Sequence, residues 1–133
     1  MSDFTLNLFD ATQEQHITGV TLFIGEDASG FFGIAAHHAR FMTTLVFGLA
    51  RFRLLSNEWH YLALPEAVLY FNANELTIST RHFLMDTDFE RISGLLEQQL
   101  LVEENNLRAT RESLQRMEQA MFKRLLHLKH RFE

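Results

Sequence analysis

The sequence predicts a β plus α chain: an N-terminal antiparallel β-sandwich over residues 1–85, then a C-terminal two-helix hairpin over residues 86–133. Three observations predict it. Apolar residues alternate with period two through the first 84 residues. Clusters of Gly, Asn, Asp and Ser, which favour turns, punctuate that stretch about every ten residues. From Asp86 onward the apolar spacing changes to three- and four-residue steps, and no Pro occurs there.

Phe4, Leu6 and Leu8 fall on one face of a first strand, with Thr5 and Asn7 opposite. Val20, Leu22 and Ile24 repeat the pattern, as do Leu45, Phe47 and Leu49. Leu62 and Leu64 oppose Tyr61 and Ala63, and Leu76 and Ile78 oppose Thr77 and Ser79. Turns are expected at Gly25-Glu26-Asp27 with Ser29-Gly30, at Ser56-Asn57-Glu58 and at Asn72-Ala73-Asn74. Pro65, the single proline, sits between two runs, where a missing backbone donor does least harm. Asp86, Thr87 and Asp88 are suited to cap a helix and to complement its dipole. Phe89, Ile92, Leu96 and Leu100 follow at helical steps, then Leu107, Leu114, Met121 and Leu128 at intervals of seven. Glu104-Asn105-Asn106 is the expected break between two helices, because Asn favours caps and turns. The heptad phase runs through it, so one long helix is also permitted.

Hydrophobic residues make up 47% of the 133 and charged residues 22%, a balance suited to a globular core and not to disorder. With 13 Phe there is bulk to fill the space between two sheets. The absence of Cys excludes disulfides, zinc-thiolate sites and iron–sulfur clusters. No run reaches the 18 or so apolar residues of a membrane helix, and Met1 to Asp10 lacks an early basic cluster. The expectation is a soluble cytoplasmic chain, for which any membrane association comes through a partner. Charge is distributed unevenly. Residues 1–85 carry −4 and residues 86–106 carry −5, while residues 107–132 carry +5. A basic last helix on an acidic body calls for an acidic partner, and nucleic acid is not expected.

Site chemistry is sparse. His37 and His38 are adjacent, so on a strand they would point to opposite faces and not share an ion. His60 and His82 stand alone in strand-like runs, and His127 and His130 lie on a charged helix face. There is no G-x-S-x-G elbow and no phosphate-cradling G-x-x-x-x-G-K sequence. No metal, no resident cofactor and no catalytic residue is expected. Gly30-Phe31-Phe32-Gly33 is a two-glycine turn, and alternation lets only one of its two rings enter a core easily.

The stretch from Gly30 to Leu45, GFFGIAAHHARFMTTL, resembles the segment G-E-F-G-V-L-P-G-H-A-P-L-L-T-x-L of the epsilon subunits of F-type ATP synthases. Gly30, Phe32, Gly33, His38, Ala39, Thr43 and Leu45 match it without a gap. Gly48 with Leu49-Ala50-Arg51-Phe52 matches in part a P-G-x-L-R-I strand, and Asn74 with Leu76-Thr77-Ile78 resembles N-x-V-T-V-L. Asp88 and Arg91 keep the spacing of the family's [IL]-D-x-x-R-A motif. The chain departs from the family at Ala36, His37 and Arg40, which replace Pro, Gly and Pro, and at Phe31, which replaces a frequent acid. Leu64-Pro65-Glu66-Ala67 stands in place of a small turn, and Thr87 and Ile92 replace an aliphatic residue and Ala.

The resemblance implies a non-catalytic rotor subunit whose sandwich docks the gamma stalk onto the c-ring. Phe31, Phe32, His38, Arg40 and Thr43 would form that interface. It implies a helical tail that reaches the catalytic alpha and beta subunits and inhibits ATP hydrolysis, through Arg108, Arg111, Arg116, Lys123 and Arg124, with Lys129 and Arg131 beyond. It also implies that ATP is a candidate regulatory ligand at Asp88 and Arg91. The competing reading of that pair is an ordinary i, i+3 ion pair. The competing reading of the whole chain is a free-standing sandwich sensor that dimerises through its tail, and a metal-dependent sandwich oxygenase is a more distant third.

Overall fold

A computed structural model describes the backbone of residues 2–132 and the side chains of residues 2–126. Nine strands come first: β1 (Phe4–Phe9), β2 (Glu14–Asp27), β3 (Gly30–Ala35), β4 (Phe41–Leu45), β5 (Gly48–Leu54), β6 (Trp59–Leu64), β7 (Ala67–Asn72), β8 (Glu75–Thr80) and β9 (Leu84–Asp86). Helix α1 (Phe89–Leu95), a π-type turn over Leu96–Leu100 and helix α2 (Leu101–Phe132) follow. The chain divides into two compact units, Met1–Leu100 and Leu101–Glu133.

In the first unit the strands run in the order β1-β8-β7-β4-β2-β5-β6-β9, with β3 added to β2. β2 serves both layers, because its first half pairs with β1 and its second half with β5 and β3. Gly19 makes that transfer possible. It adopts φ +74° where the register of β2 against β1 slips, a left-handed conformation that costs little only for Gly. All pairings but one are antiparallel; β1 and β8 run parallel, a departure from the wholly antiparallel sandwich expected.

The alternation read from the sequence becomes the core. Phe4, Leu6, Leu8, Phe23, Phe52, Leu62, Leu69, Phe71, Leu76 and Ile78 are all buried between the layers. Each fully buried apolar side chain of this size contributes about 1.5–3 kcal/mol. Two expectations need correction. Gly25, Glu26 and Asp27 belong to β2 and not to a turn, and the chain reverses at Ala28 and Ser29. Leu45, Phe47 and Leu49 are not one strand: Leu45 ends β4 in the main core, whereas Phe47 and Leu49 pack on a second cluster. That cluster contains Ala63, Ile92 and Leu100, so α1 and the π-type turn cover the β5–β6–β9 end of the sheet.

Asp88 caps α1, its carboxylate accepting from the backbone N–H groups of Glu90 and Arg91 at 3.0 and 3.2 Å. The two-helix hairpin is not formed. The helical backbone is uninterrupted by a turn from Phe89 to Phe132, and Glu104-Asn105-Asn106 lies inside α2. With neither Gly nor Pro available, two adjacent Asn cost at most about 0.7 kcal/mol each, too little to break a long helix. Among the described residues no helix is long and apolar enough to cross a membrane.

Candidate functional site

The segment around β3 gathers the residues singled out in the sequence, in two groups. At the β2–β3 turn, Asp27 accepts from the Ser29 backbone N–H at 2.9 Å and from the Thr43 hydroxyl at 2.8 Å. These bonds, with that of the Ser29 hydroxyl first among them, hold the Asp27 carboxyl below its ordinary pKa. Thr43 is thus a clasp between β4 and the turn, and Asp27 is its partner, which sequence reasoning had assigned only to turn chemistry. The neighbouring rings divide as alternation requires. Phe31 is 78% exposed, whereas Phe32 is half-buried against the core, 5.3 Å from Phe41 and 6.5 Å from Phe23 between ring centroids.

At the far end of β3, His37 takes a positive φ of 65° in the loop to β4, so the two histidines do not sit on a strand. The Asn74 side chain stabilises this loop by accepting from the His37 backbone N–H at 2.8 Å and donating to the Asp3 carbonyl at 2.8 Å. His38 is exposed at its edge but rests on Phe41 and Phe71, with centroids 5.7 and 5.9 Å away. Arg40 is exposed and lies 6.0 Å over the Tyr70 ring. A chain of ring contacts therefore links Phe32 through Phe41 to His38. Phe31, His38 and Arg40 are exposed, whereas Phe32 and Thr43 are half-buried.

Asp88 and Arg91 do not pair as an i, i+3 couple. Asp88 is used as a cap, and the Arg91 guanidinium instead grips Asp86, with Nη2 2.8 Å from Oδ1 and Nε on Oδ2. That bidentate contact, first through its hydrogen bonds, drives the Asp86 carboxyl well below the usual carboxylate range and raises Arg91. On α2, Arg108, Arg111, Arg116, Lys123 and Arg124 are all exposed. At 3.6 residues per turn the first four span roughly 140° of the helix, with Arg124 outside that arc. Leu107, Leu114, Met117, Met121 and Leu125 occupy roughly 80° on another side, and every one of them is exposed. Lys129, Arg131, Leu128, His127 and His130 lie outside the residues whose side chains are described. Among the described residues no three His, Asp or Glu side chains converge as a metal site would require.

Residues 4–85 match the family described as ATP synthase, Delta/Epsilon chain, beta-sandwich domain. A curated relative, ATP synthase epsilon chain 2 of Cereibacter sphaeroides, is 32% identical over 82 residues, covering 61% of this chain and 56% of its own length. The chain thus spans little more than half of that relative. Solved structures repeat the fold at low identity. A chain in the central stalk/c-ring structure of the Tetrahymena thermophila mitochondrial ATP synthase aligns with TM-score 0.54 and 12% identity, over 62% of this chain and 66% of that one. Another, in the OSCP/F1/c-ring structure of the Euglena gracilis enzyme, aligns with TM-score 0.60 and 16% identity, over 74% and 64%. With its matched segment running from the first strand to the last, this chain belongs to the ATP synthase delta/epsilon family and is an epsilon-type subunit.

Proposed function

We propose that this chain is a non-catalytic rotor subunit of an F-type ATP synthase, peripheral at the cytoplasmic face of the membrane, whose sandwich joins the gamma stalk to the c-ring. The observation that favours this reading most is the geometry of the β3 segment. Phe31 stands out from the turn as a large, nearly fully exposed ring, and His38 and Arg40 present polar groups from the loop at the other end. An aromatic anchor flanked by a supported polar edge is the pattern of an interface hot spot. The basic tail is proposed to reach the acidic catalytic subunits and restrain ATP hydrolysis; its exposed cations and the unpartnered apolar stripe of α2 support a binding role.

Affinity purification from native membranes tests the assignment, using the full chain and a chain ending at Leu100. Recovery of gamma and c-ring subunits with both forms is the expected result, together with higher ATPase activity from the shortened form. Recovery of a homodimer alone, lost on truncation, would replace the rotor by a free-standing sensor that pairs through α2.

A regulatory ATP at the start of α1 is a separable part of the proposal. It requires Arg91 to exchange Asp86 for phosphate, so Asp86→Asn should tighten ATP binding measured by calorimetry, and Arg91→Ala should abolish it. No heat with either variant or with the native chain would remove ATP from the scheme.

A further inference from the structure

Beside the ring of Phe31, the outer face of the sheet opens into a cavity of about 560 Å³ lined by Ile24, Phe31, Leu49, Arg51, Tyr61 and Phe89. This is within the range of small-ligand pockets, roughly 300–1,000 Å³. All of it belongs to the first compact unit. Its walls are apolar and aromatic. Phe89 meets Tyr61 edge-on at 5.4 Å, and α1 thereby closes one side. Phe89 and Phe31, at 52% and 78% exposure, stand as two exposed rims.

The single charge in this lining is Arg51, on β5 opposite Tyr61 of β6. Its guanidinium lies 4.8 Å over the ring of Trp59, and Arg53 approaches the same ring at 5.5 Å. Among the described residues no carboxylate pairs with Arg51 or Arg53. Asp86, opposite Tyr61 on β9, is held by Arg91, and Glu26 lines a neighbouring cavity that shares Phe31. An apolar trough with one uncompensated cation at its edge selects a ligand with one anionic head and a long apolar body.

We infer that this cavity binds a free single-chain amphiphile of the fatty-carboxylate class, its carboxylate on Arg51 and its chain between Phe31, Leu49 and Phe89. Such a head would make charge-assisted hydrogen bonds to the guanidinium, and the chain would remove the exposed faces of the two rings from water. The site uses no residue of α2, and because it shares Phe31 with the proposed stalk interface, the test is made on the free chain.

Trp59 is the only tryptophan in the chain and reports on Arg51 directly. The test is titration of the full chain with dodecanoate, below its micelle concentration, followed by Trp59 emission. A saturable change at one equivalent is expected. Arg51→Gln and Phe89→Ala, both at exposed positions, should each weaken binding roughly tenfold or more while leaving the thermal transition in place. Acetate, which lacks the chain, and dodecyltrimethylammonium, which reverses the charge, should give no saturable response. An equal response to the cationic amphiphile, an affinity unchanged by Arg51→Gln, or a lack of saturation with dodecanoate would each overturn the inference. So would displacement of dodecanoate by stoichiometric ATP, which would make the cavity a nucleotide site.

Discussion

Asp10 shows how one side chain closes the sandwich. Its carboxylate is fully enclosed and accepts from the backbone N–H groups of Thr12 and Gln13 at 2.8 Å, from the Gln13 amide at 3.0 Å and from the Phe83 N–H at 3.1 Å. Burial alone would raise its pKa, but these donors outweigh burial and hold it well below the carboxylate range. The group is therefore more acidic folded than unfolded, so its contribution is present above about pH 4 and is lost as pH falls further. Asp10→Asn turns a donor toward donors that had an acceptor. It should lower stability at pH 7 by about 1–3 kcal/mol, measured by urea unfolding, and the gap from the native chain should narrow in acid. An unchanged gap at pH 3 would contradict the account. Nothing in the sequence around Asp10 foretold this, because Phe83 is 73 residues away.

At the scale of the element, two hairpins carry opposite predictions. Gly25 faces the core from β2, and a Cβ there would lie 2.8 Å from the Phe23 ring and 3.1 Å from the Leu45 side chain. Gly25→Ala should cost about 1–3 kcal/mol through overpacking, seen as a lower urea midpoint with an unchanged slope. The β7–β8 turn has slack instead. Ala73 and Asn74 both take positive φ, 51° and 62°, and the Ala side chain is poorly suited to that region. Ala73→Asn should raise stability by about 0.5–1 kcal/mol, and a lower melting temperature would refute it. This turn was legible in the sequence, since Asn72-Ala73-Asn74 is turn chemistry at close range. The role of Gly25 was not, because a glycine filling space beneath three side chains looks the same in a sequence as one making a turn.

For the molecule as a whole, the compact unit that holds β3 and the cavity beside Phe31 runs to Leu100 and not only to the last strand. Ile92 and Leu100 are buried against Ala63 and Leu49, each contributing about 1.5–3 kcal/mol. A chain ending at Leu100 should therefore unfold in one cooperative transition by calorimetry, and one ending at residue 85 should melt lower or not at all. Equal melting of the two would mean that α1 is not part of the folding unit. On α2, the apolar residues Leu107, Leu114, Met117, Met121 and Leu125 fall on one side of the helix and are all exposed.

The sequence by itself determined the sandwich and its helical sequel, because period two and period 3.6 are local consequences of backbone geometry. It also determined that only one of two adjacent phenylalanines could enter the core easily, and the structure decided that Phe32 is the one. Tertiary structure alone decided that Arg91 takes Asp86 instead of Asp88, that Thr43 is clasped by Asp27, and that β1 lies parallel to β8. It alone gathered Arg51, Trp59 and Phe89 around one cavity. These are pairings between residues that a linear pattern does not couple, and they are chosen by which strands lie side by side. The hairpin expected at Glu104-Asn105-Asn106 failed for the converse reason: a local preference worth a fraction of a kcal/mol yielded to a helix that nothing in the chain interrupts.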